Sequence, residues 1–322
     1  MNIAILYQAK KPPAIDGIDK PMKKGGYSDS GADIAYCLLQ NHYSIITPVE
    51  NPDVYQDLDW VFPDTKEGIQ QAIDQGADTL WLNTVLYATH PILEFKGINI
   101  IGQDPYFVEK YDNKLYTNQL LYQHGLDVVE SKVIDLENIE ISEYPCVIKP
   151  IRGRGSQGVK VCDNLEEVIN HMNSLIQDGN YGNRFIVEPF LNDTEITIGV
   201  FPDGKVIPPI ERIKQIDRIM PYNGKVPVVE NSFVCKDNTD EIIKQCQKAI
   251  EILKPKAMVR IDCRKKDGKY YMFDINPKPN MTGASRPHRQ NQDSLLMIGM
   301  KENHLTYIDL IKKYISYQWK NI

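Results

Sequence analysis

Two strand-like runs in the C-terminal third of the sequence carry three side chains whose oxygen atoms could bind a metal. VRIDCR, residues 259–264, contains Asp262, and KYYMFDIN, residues 269–276, contains Asp274 and Asn276. A Lys-Asp-Gly turn signal separates the runs and predicts a β-hairpin. Because side chains alternate along a strand, Asp274 and Asn276 share one face. Two carboxylates and an amide oxygen suit a hard divalent cation whose remaining ligands are phosphate and water.

The length of the hairpin loop decides whether Asp262 joins that face. A two-residue Asp-Gly turn would place Asp262 on the opposite face, whereas an odd number of loop residues brings it to the same one. We therefore predict a three-residue loop, residues 266–268, with Gly268 or a neighbour at φ > 0. Such a loop also places Arg260 beside the three groups. The alternative is an ordinary hairpin with a solvated polar face.

A glycine-rich segment, YPCVIKPIRGRGSQGVKV at residues 144–161, joins two apolar runs, with Lys149 at the exit of the first. Glycine tolerates positive φ and close approach, so backbone N–H groups here can face phosphate oxygens. The loop residues in question are Gly153, Gly155, Ser156 and Gly158. A Walker sequence is absent, and the G-x-G-x-x-G spacing falls between two strands. We predict a loop that closes over nucleotide phosphates; a plain hairpin turn is the alternative.

The run FIVEPFLNDTEITIGV, residues 185–200, consists of two predicted strands with a break between them. Glu188 ends the first strand and Glu195 begins the second. The extended hinge between them starts with Pro189, Phe190 and Leu191. An adenine ring needs apolar walls with a backbone donor and acceptor at its edge, and a ribose needs a carboxylate for its hydroxyl groups. This segment therefore predicts a nucleoside site.

In their order these segments resemble the ATP-grasp superfamily, and within it the D-alanine–D-alanine ligases. The resemblance covers residue 105 to the C-terminus, with a looser N-terminal third. It implies an α/β protein with an N-terminal parallel α/β domain followed by two α+β subdomains that clasp ATP. The expected boundaries are 1–104, 105–190 for the subdomain with the glycine-rich loop, and 191–322 for the subdomain with the magnesium site.

The resemblance also implies roles on the nucleotide side. The helix DNKLYTNQLLYQHGL, residues 112–126, supplies a phosphate-binding lysine, and the run IMPYNGKV, residues 219–226, looks like a mobile loop that contacts the γ-phosphate. The residues implied for ATP are Lys114, Lys149, Gly155, Ser156, Gly158, Glu188, Pro189, Phe190, Leu191, Glu195 and Lys225. Mg²⁺, for which Mn²⁺ can substitute, is expected on Asp262, Asp274 and Asn276.

On the amino-acid side, the resemblance implies three residues. Arg260 would face the transferred phosphate and the tetrahedral intermediate, the backbone N–H of Asn280 would face the oxyanion, and Ser285 would bind the acceptor carboxylate. The family has a glycine in place of Asn280 and a small apolar residue in place of Arg286. The nucleotide machinery therefore matches, whereas the amino-acid pockets differ.

Two further departures concern the N-terminal third. The family's first-loop glutamate has no clear counterpart in KKGGYSDSG, residues 23–31, and its HGxxGEDG loop is replaced by NTVLYATHP, residues 83–91. We predict a poor D-alanine dimeriser in which Arg286, or a residue of the loop at residues 27–30 such as Tyr27 or Ser28, contacts a substrate larger or more anionic than D-alanine. For Arg286 an exposed basic turn is the alternative.

The function that follows is an ADP-forming carboxylate–amine ligase that makes an amide bond through an acyl phosphate. One alternative joins an amino acid to a secondary-metabolite precursor. A non-catalytic ATP-binding regulator is a third possibility, but it would be expected to lose Arg260, Asp274 or Asn276, and all three are present.

The composition is that of a globular protein, with 42% hydrophobic and 25% charged residues in a chain of 322. A net charge of −6 argues against general nucleic-acid binding. The six cysteines show no CxxC pair, and no apolar run approaches the roughly 20 residues of a membrane span. We expect a cytoplasmic enzyme that acts on small-molecule carboxylates and amines, without nucleic-acid or membrane partners; homodimer formation is left open.

Alternating strand and helix signals organise the chain. The strand runs NIAILY, SIIT, DTLWLN and INIIG predict a small parallel sheet in the first hundred residues. Helices are expected near residues 30–40 and after Asp64, then at about 164–178, 239–253 and 305–318. Asp64-x-x-Glu67 and Asn238-x-x-Glu241 resemble capping boxes.

Overall fold

The computed structural model describes residues 1–153, 155–213, 217–219 and 228–322. Its strands are β1 (Asn2–Tyr7), β2 (Ser44–Ile45), β3 (Phe62–Pro63), β4 (Thr79–Asn83), β5 (Asn99–Ile101), β6 (Lys132–Ile134), β7 (Cys146–Pro150), β8 (Lys160–Cys162), β9 (Phe185–Pro189), β10 (Glu195–Val200), β11 (Ile210–Arg212), β12 (Ser232–Val234), β13 (Val259–Lys266), β14 (Lys269–Asn276) and β15 (Trp319–Lys320).

The helices confirm the predicted positions, with α8 and the short α3 and α6 in addition. They are α1 (Ser28–Gln40), α2 (Lys66–Asp74), α3 (Pro105–Tyr111), α4 (Lys114–Gln123), α5 (Leu165–Asp178), α6 (Val228–Asn231), α7 (Asp240–Leu253), α8 (Leu295–Glu302) and α9 (Tyr307–Ile315).

Both predicted capping boxes are wrong by one residue. Thr65 caps α2 by accepting a hydrogen bond from the amide of Gly68 at 3.2 Å, and Thr239 stands at the N-cap of α7. Asp64 is unavailable as a cap because its carboxylate is buried, where it accepts hydrogen bonds from the amide of Ala9 and the hydroxyl of Thr84. Two neighbouring residues with short polar side chains can each cap a helix, so the sequence alone does not show which of them accepts from the first free N–H groups.

The first sheet has the strand order β15-β5-β4-β1-β2, with β3 also paired to β1. All of its pairings are parallel except that of β15, which runs antiparallel to β5. The strands β1 and β4 are buried along nearly their whole length, as expected for a sheet covered on both faces. The predicted parallel sheet is therefore confirmed, and the C-terminal strand β15 returns to complete its edge.

Two antiparallel sheets follow along the chain. The second has the order β6-β9-β7-β8 and the third β12-β11-β10-β13-β14. Helix α5 packs on β7 and β8, and α7 packs on β10 and β14, so each sheet buries one face beneath a helix. The first sheet consists of β1–β5 with β15, the second of β6–β9 and the third of β10–β14, and the proposed domain boundaries stay a prediction.

No helix in the described part of the chain is both long enough and apolar enough to cross a membrane. All six cysteines are free thiols, and five of them are buried.

Candidate active site

The side chains predicted to bind metal lie together on the hairpin formed by β13 and β14. Asp262 pairs directly with Asp274 across the two strands, and Arg260 pairs with Asn276. Residues directly opposite each other in an antiparallel pair project from the same face of the sheet. The structure therefore gathers two carboxylates, an amide and a guanidinium in one place.

The loop of this hairpin is shorter than predicted. The pairing leaves a two-residue turn, Asp267 and Gly268, whose φ angles are 51° and 79°. The predicted positive φ is confirmed, but the three-residue loop is wrong. The pairing instead skips Phe273, a β-bulge that shifts the register by one beside Asp262. The bulge moves Asp274 onto the face of Asp262, which was the effect expected from an odd loop.

The bulge also places the carbonyl group of Phe273 where other elements can reach it. This oxygen accepts hydrogen bonds from Lys149 Nζ at 3.0 Å and from Asn118 Nδ2 at 3.4 Å. It therefore joins the hairpin to the end of β7 and to α4. Sequence reasoning missed Asn118, although it lies four residues after Lys114 on one helix face, a spacing that could have indicated it.

The carboxylate of Asp262 is held by three neighbours. Arg260 donates to it from Nε at 3.0 Å and from Nη2 at 2.8 Å, and Thr197 Oγ1 lies 2.5 Å from Oδ1. Asn276 Nδ2 donates to Oδ2 at 3.1 Å. The two-point contact between Arg260 and Asp262 fixes the plane of the guanidinium as well as that of the carboxylate. Arg260 is consequently oriented by the strand residue two positions after it.

Lys114, the first residue of α4, forms an ion pair with Asp274 in the interior of the site. Burial alone would raise the pKa of Asp274, but the charges of Lys114 and Lys149 outweigh it and hold the pKa below its ordinary value. Burial would likewise lower the pKa of Lys114, and the charge of Asp274 raises it instead. Both groups are therefore charged at neutral pH.

The donor set fits a hard divalent cation. Within the described residues no group of three or more His, Cys, Asp or Glu side chains could hold a metal by itself. Asp262, Asp274 and the amide oxygen of Asn276 offer two carboxylates and one neutral oxygen on adjacent paired positions. Mg²⁺ commonly binds to one or two carboxylates together with substrate phosphates, so this small set suffices for it.

Lys149 is tied to Glu188 on the neighbouring strand. Its Nζ lies 2.7 Å from Glu188 Oε2, and both side chains are buried. The other carboxylate oxygen of Glu188 accepts from Ser131 Oγ at 2.6 Å and from Asn118 Nδ2 at 3.2 Å. The side chain of Glu188 therefore positions Lys149, the lysine predicted to bind phosphate, and only the backbone of Glu188 is left for the predicted adenine hinge.

Glu195, predicted to bind ribose, is buried at the start of β10 and forms an ion pair with Arg264 at 3.1 Å. Burial raises the pKa of Glu195 to about 7 despite this partner. The guanidinium of Arg264 also lies 5.2 Å from the ring centre of Phe190, in the predicted hinge. The hinge residue Phe190 and the carboxylate of Glu195 are thus linked through one arginine that sequence reasoning missed.

The glycine-rich loop joins two antiparallel strands, β7 and β8, as predicted. Gly155, Ser156 and Gly158 all have positive φ angles, at 62°, 57° and 72°. Successive residues in this conformation can turn several N–H groups toward one anion. A side chain at Gly158 would come within 2.8 Å of Pro150, so glycine is required there.

Two residues predicted for the amino-acid side follow β14. The side chain of Asn280 folds back and accepts hydrogen bonds from the amide of Thr282 at 3.1 Å and from its hydroxyl at 3.0 Å. The buried Oγ of Ser285 has no hydrogen-bond partner among the residues that the structure describes. A buried, unsatisfied hydroxyl is costly unless a ligand completes it, which is what an acceptor carboxylate would do.

The prediction that Arg286 contacts substrate does not fit the structure. Its side chain is fully buried and lies 2.8 Å from Asp33 and 2.7 Å from Asp57, and it also donates to two backbone carbonyls. The acidic partners expected for a buried arginine are therefore the protein's own Asp33 and Asp57 rather than a substrate. The alternative, an exposed basic turn, is also wrong.

Tyr27 and Ser28 lie at the beginning of α1. Ser28 is buried as the first residue of the helix, and Tyr27 precedes it with a φ of 68°. Lys278 Nζ lies 3.8 Å from the centre of the Tyr27 ring. Tyr27 is thus brought close to the turn after Asn276. Lys225, the lysine predicted to contact the γ-phosphate, lies outside the described residues.

Known proteins confirm the relationship. The family model described as D-ala D-ala ligase C-terminus matches residues 120–314. A D-alanine–D-alanine ligase of Bacillus anthracis is 28% identical over 206 residues, which cover 60% of this chain and 65% of that enzyme. A D-alanine–D-alanine ligase of Aquifex aeolicus is 26% identical over 235 residues, 70% of this chain and 75% of that one.

Solved structures show the same fold. The Bacillus anthracis D-alanine–D-alanine ligase complexed with ATP superposes with a TM-score of 0.72 at 19% identity, covering 98% of this chain and 97% of that one. The VanG D-Ala:D-Ser ligase of Enterococcus faecalis superposes with a TM-score of 0.65 at 16% identity, covering 98% of both. The fold is ATP-grasp, and the chain belongs to the D-alanine–D-alanine ligase family.

Proposed function

We propose that this protein is an ATP-dependent ligase that joins a carboxylate to an amine and releases ADP and phosphate. The observation that carries the proposal is the meeting of Lys114 and Lys149 with the Arg260, Asp262, Asp274 and Asn276 cluster. The two lysines come from α4 and β7, and the cluster comes from a hairpin of another sheet. Family membership and the names of the relatives support the same reaction class.

The first half-reaction activates the carboxylate. A carboxylate oxygen attacks the γ-phosphorus of ATP, the bond to the β,γ-bridging oxygen breaks, and ADP leaves. Lys114 and Lys149 would hold the phosphates, and the loop with Gly155, Ser156 and Gly158 would cover them and exclude water. Bound Mg²⁺, held by the two carboxylates and Asn276, would neutralise phosphate charge.

The second half-reaction forms the amide. The amine nitrogen attacks the acyl carbon, phosphate leaves, and the nitrogen loses a proton. Arg260, held in plane by Asp262, would stabilise the negative charge that develops, together with the backbone N–H of Asn280. The unsatisfied hydroxyl of Ser285 would bind a carboxylate of the acceptor. Lys225 would contact the γ-phosphate from the loop at residues 219–226.

On the nucleoside side, Phe190 would contribute an apolar wall, and Pro189 and Leu191 the backbone of the hinge. Leu191 and Phe190 are both buried, so a ring inserted there would be shielded from water. Glu195 would accept hydrogen bonds from the ribose hydroxyls. Its carboxylate would then bind the ribose and Arg264 at the same time.

The substrates are proposed to be two amino acids or close analogues, as in the named relatives. Because the first-loop glutamate of the family has no clear counterpart, the second candidate reaction joins a different pair of amino acids, or an amino acid and a secondary-metabolite precursor. The internal partners of Arg286 remove its support for a more anionic substrate. Tyr27, near Lys278, remains a candidate contact.

The test is release of ADP and phosphate with ATP, Mg²⁺ and a panel of D- and L-amino acids, offered singly and in pairs. Product masses identify the bond formed. Asp274→Asn should lower release by about 10²-fold or more, and Asp267→Asn, a matched change in the exposed turn of the same hairpin, should leave it unchanged. ATP binding without any amide product across a broad amine and carboxylate panel would favour the non-catalytic regulator.

A further inference from the structure

The segment between β1 and α1 crosses from the first sheet to the phosphate-binding side of the molecule. We call residues 9–23 the strap. Most of it lacks regular structure, but Ile15 and Ile18 exchange two backbone hydrogen bonds of 3.0 and 3.1 Å. Asp16 and Gly17 form the tight turn between them, with φ angles of 55° and 72°. Ile18 is buried, so the turn is anchored.

The tip of the strap grips the start of the glycine-rich loop. Asp16 Oδ2 accepts from both Nε and Nη2 of Arg152, each at 3.2 Å. Arg152 is buried and stands immediately before Gly153, while its Nη1 donates to the carbonyl of Glu109 at 2.7 Å. The strap thus supplies a carboxylate to an arginine that lies between the loop and the end of β7. Arg152 Nη1 also lies 3.6 Å from Asp112 Oδ2, so the guanidinium bridges the strap to the residue that precedes α4 by two positions and ties the loop base to both.

A second strap residue reaches the start of α4. Lys20 forms an ion pair with Asp112, and burial lowers the pKa of Lys20. Asp112 lies two residues before Lys114, whose amide donates to the carbonyl of Ile151 at 3.0 Å. The base of the glycine-rich loop and the phosphate-binding lysine are therefore one connected unit, and the strap contacts both of its ends.

Further contacts keep the strap in place. The amide of Asp19 donates to the carbonyl of Asn180 at 2.8 Å, beyond the end of α5. The side chain of Asp19, by contrast, meets Lys11 within the strap, and both are solvent-accessible. The carboxylate of Asp19 therefore differs from that of Asp16, because it makes no hydrogen bond or ion pair to the part of the glycine-rich loop that the structure describes.

We propose that Asp16 and Lys20 are positioning residues for ATP, which hold Arg152 and Asp112 so that the glycine-rich loop and Lys114 present their donors to the same phosphates. This inference rests on the proposed function for the nucleotide and for the phosphate-binding roles of the glycine-rich loop and Lys114, but not for the step that forms the amide. It makes the nucleotide site depend on a segment that precedes the ATP-grasp subdomains in the chain. In the proposed arrangement Asp16 and Lys20 act through Arg152 and Asp112 rather than as ligands of the phosphates.

The test measures binding of ATP with Mg²⁺ by titration calorimetry, without carboxylate or amine substrates. Asp16→Asn and Lys20→Met should each raise the Kd for ATP about tenfold, as expected when binding groups are displaced slightly. Lys20→Arg, which keeps the charge, should restore most of the affinity. In turnover assays the KM for ATP should rise while the KM for the other substrates stays unchanged.

Asp19→Asn is the matched control and should bind ATP like the unmodified protein. Thermal unfolding of every variant separates a loss of positioning from a loss of fold, since a merely structural contact would lower Tm without selectively raising the Kd for ATP. Unchanged Kd values in folded Asp16→Asn and Lys20→Met would overturn the inference, as would an unmodified protein that does not bind ATP. Binding that follows the expected order without amide formation would contradict only the proposed reaction.

Discussion

Arg286 and Asp33 form an ion pair in which neither side chain is exposed to solvent. They are 253 residues apart in sequence, and the pair joins α1 to the segment that follows Ser285. Arg289 donates to the other oxygen of Asp33 at 2.8 Å. A buried network of ion pairs therefore connects α1, which packs on the first sheet, to the segment that contains the predicted acceptor residue Ser285. Apolar contacts are not the only link between them.

Arg286→Met should destabilise the protein by about 3–5 kcal/mol, because it leaves Asp33 buried with less compensation. Equilibrium urea unfolding measures the change. Lys66→Gln, which breaks the exposed Lys66–Glu94 pair, is the control and should leave the midpoint unchanged. A stable Arg286→Met protein with an altered substrate KM would instead restore the predicted substrate contact.

Asp274→Ala and Asn276→Ala should lower turnover by about 10²- to 10³-fold, as expected when several kcal/mol of charge stabilisation are lost. The fold should persist in both variants, with a lower free energy of unfolding for Asp274→Ala, because that change leaves Lys114 without its ion-pair partner. Circular dichroism and turnover at saturating Mg²⁺ check this together. Turnover at the unmodified rate in either variant would remove the metal assignment.

Arg260→Lys should reduce kcat by about 10²-fold while leaving the Kd for ATP nearly unchanged, because lysine lacks the planar fork that Asp262 orients. Steady-state kinetics and ATP titration give the two quantities separately. If the Kd for ATP rose and kcat did not fall, Arg260 would belong to ground-state binding of the nucleotide.

The raised pKa of Glu195, about 7, makes stability depend on pH. The folded protein binds more protons than the unfolded chain between the ordinary carboxyl pKa and this value, so the free energy of unfolding falls as pH rises from about 4.5 to 7. Glu195→Gln lacks this contribution. The difference in free energy of unfolding, variant minus unmodified, should therefore increase from pH 5 to pH 8. A difference that decreases over that range would show that Arg264 dominates over burial.

Local pattern was enough for several elements and insufficient for others. Strand alternation placed Asp274 and Asn276 on one face, and the Asp-Gly signal placed the turn. The bulge at Phe273 was not predictable in the same way. Strand alternation requires one extra residue between Asp262 and Asp274 to bring them to one face, but it does not say whether that residue lies in the turn or within a strand.

Long-range partners were the other gap. The order of Lys114, Lys149 and the hairpin residues indicated which groups meet, since a resemblance carries the fold with it. Nothing local connects Arg286 to Asp33, so a buried arginine could be paired with an acid but not with a particular one. The capping residues differ from the predicted ones for a related reason, because Asp64 is drawn into the first sheet domain.

The two-residue turn sets the register of the outer hairpin, and the bulge beside Asp274 shifts it only where the polar cluster begins. Asp267 and Gly268 are exposed, and an added side chain at Gly268 would meet no atom within 4 Å. Four residue pairs, about 14 Å, separate this tip from Asp262. The tip is consequently an attachment point for a fluorescent dye or a short peptide graft, placed away from the residues proposed to bind ATP and metal.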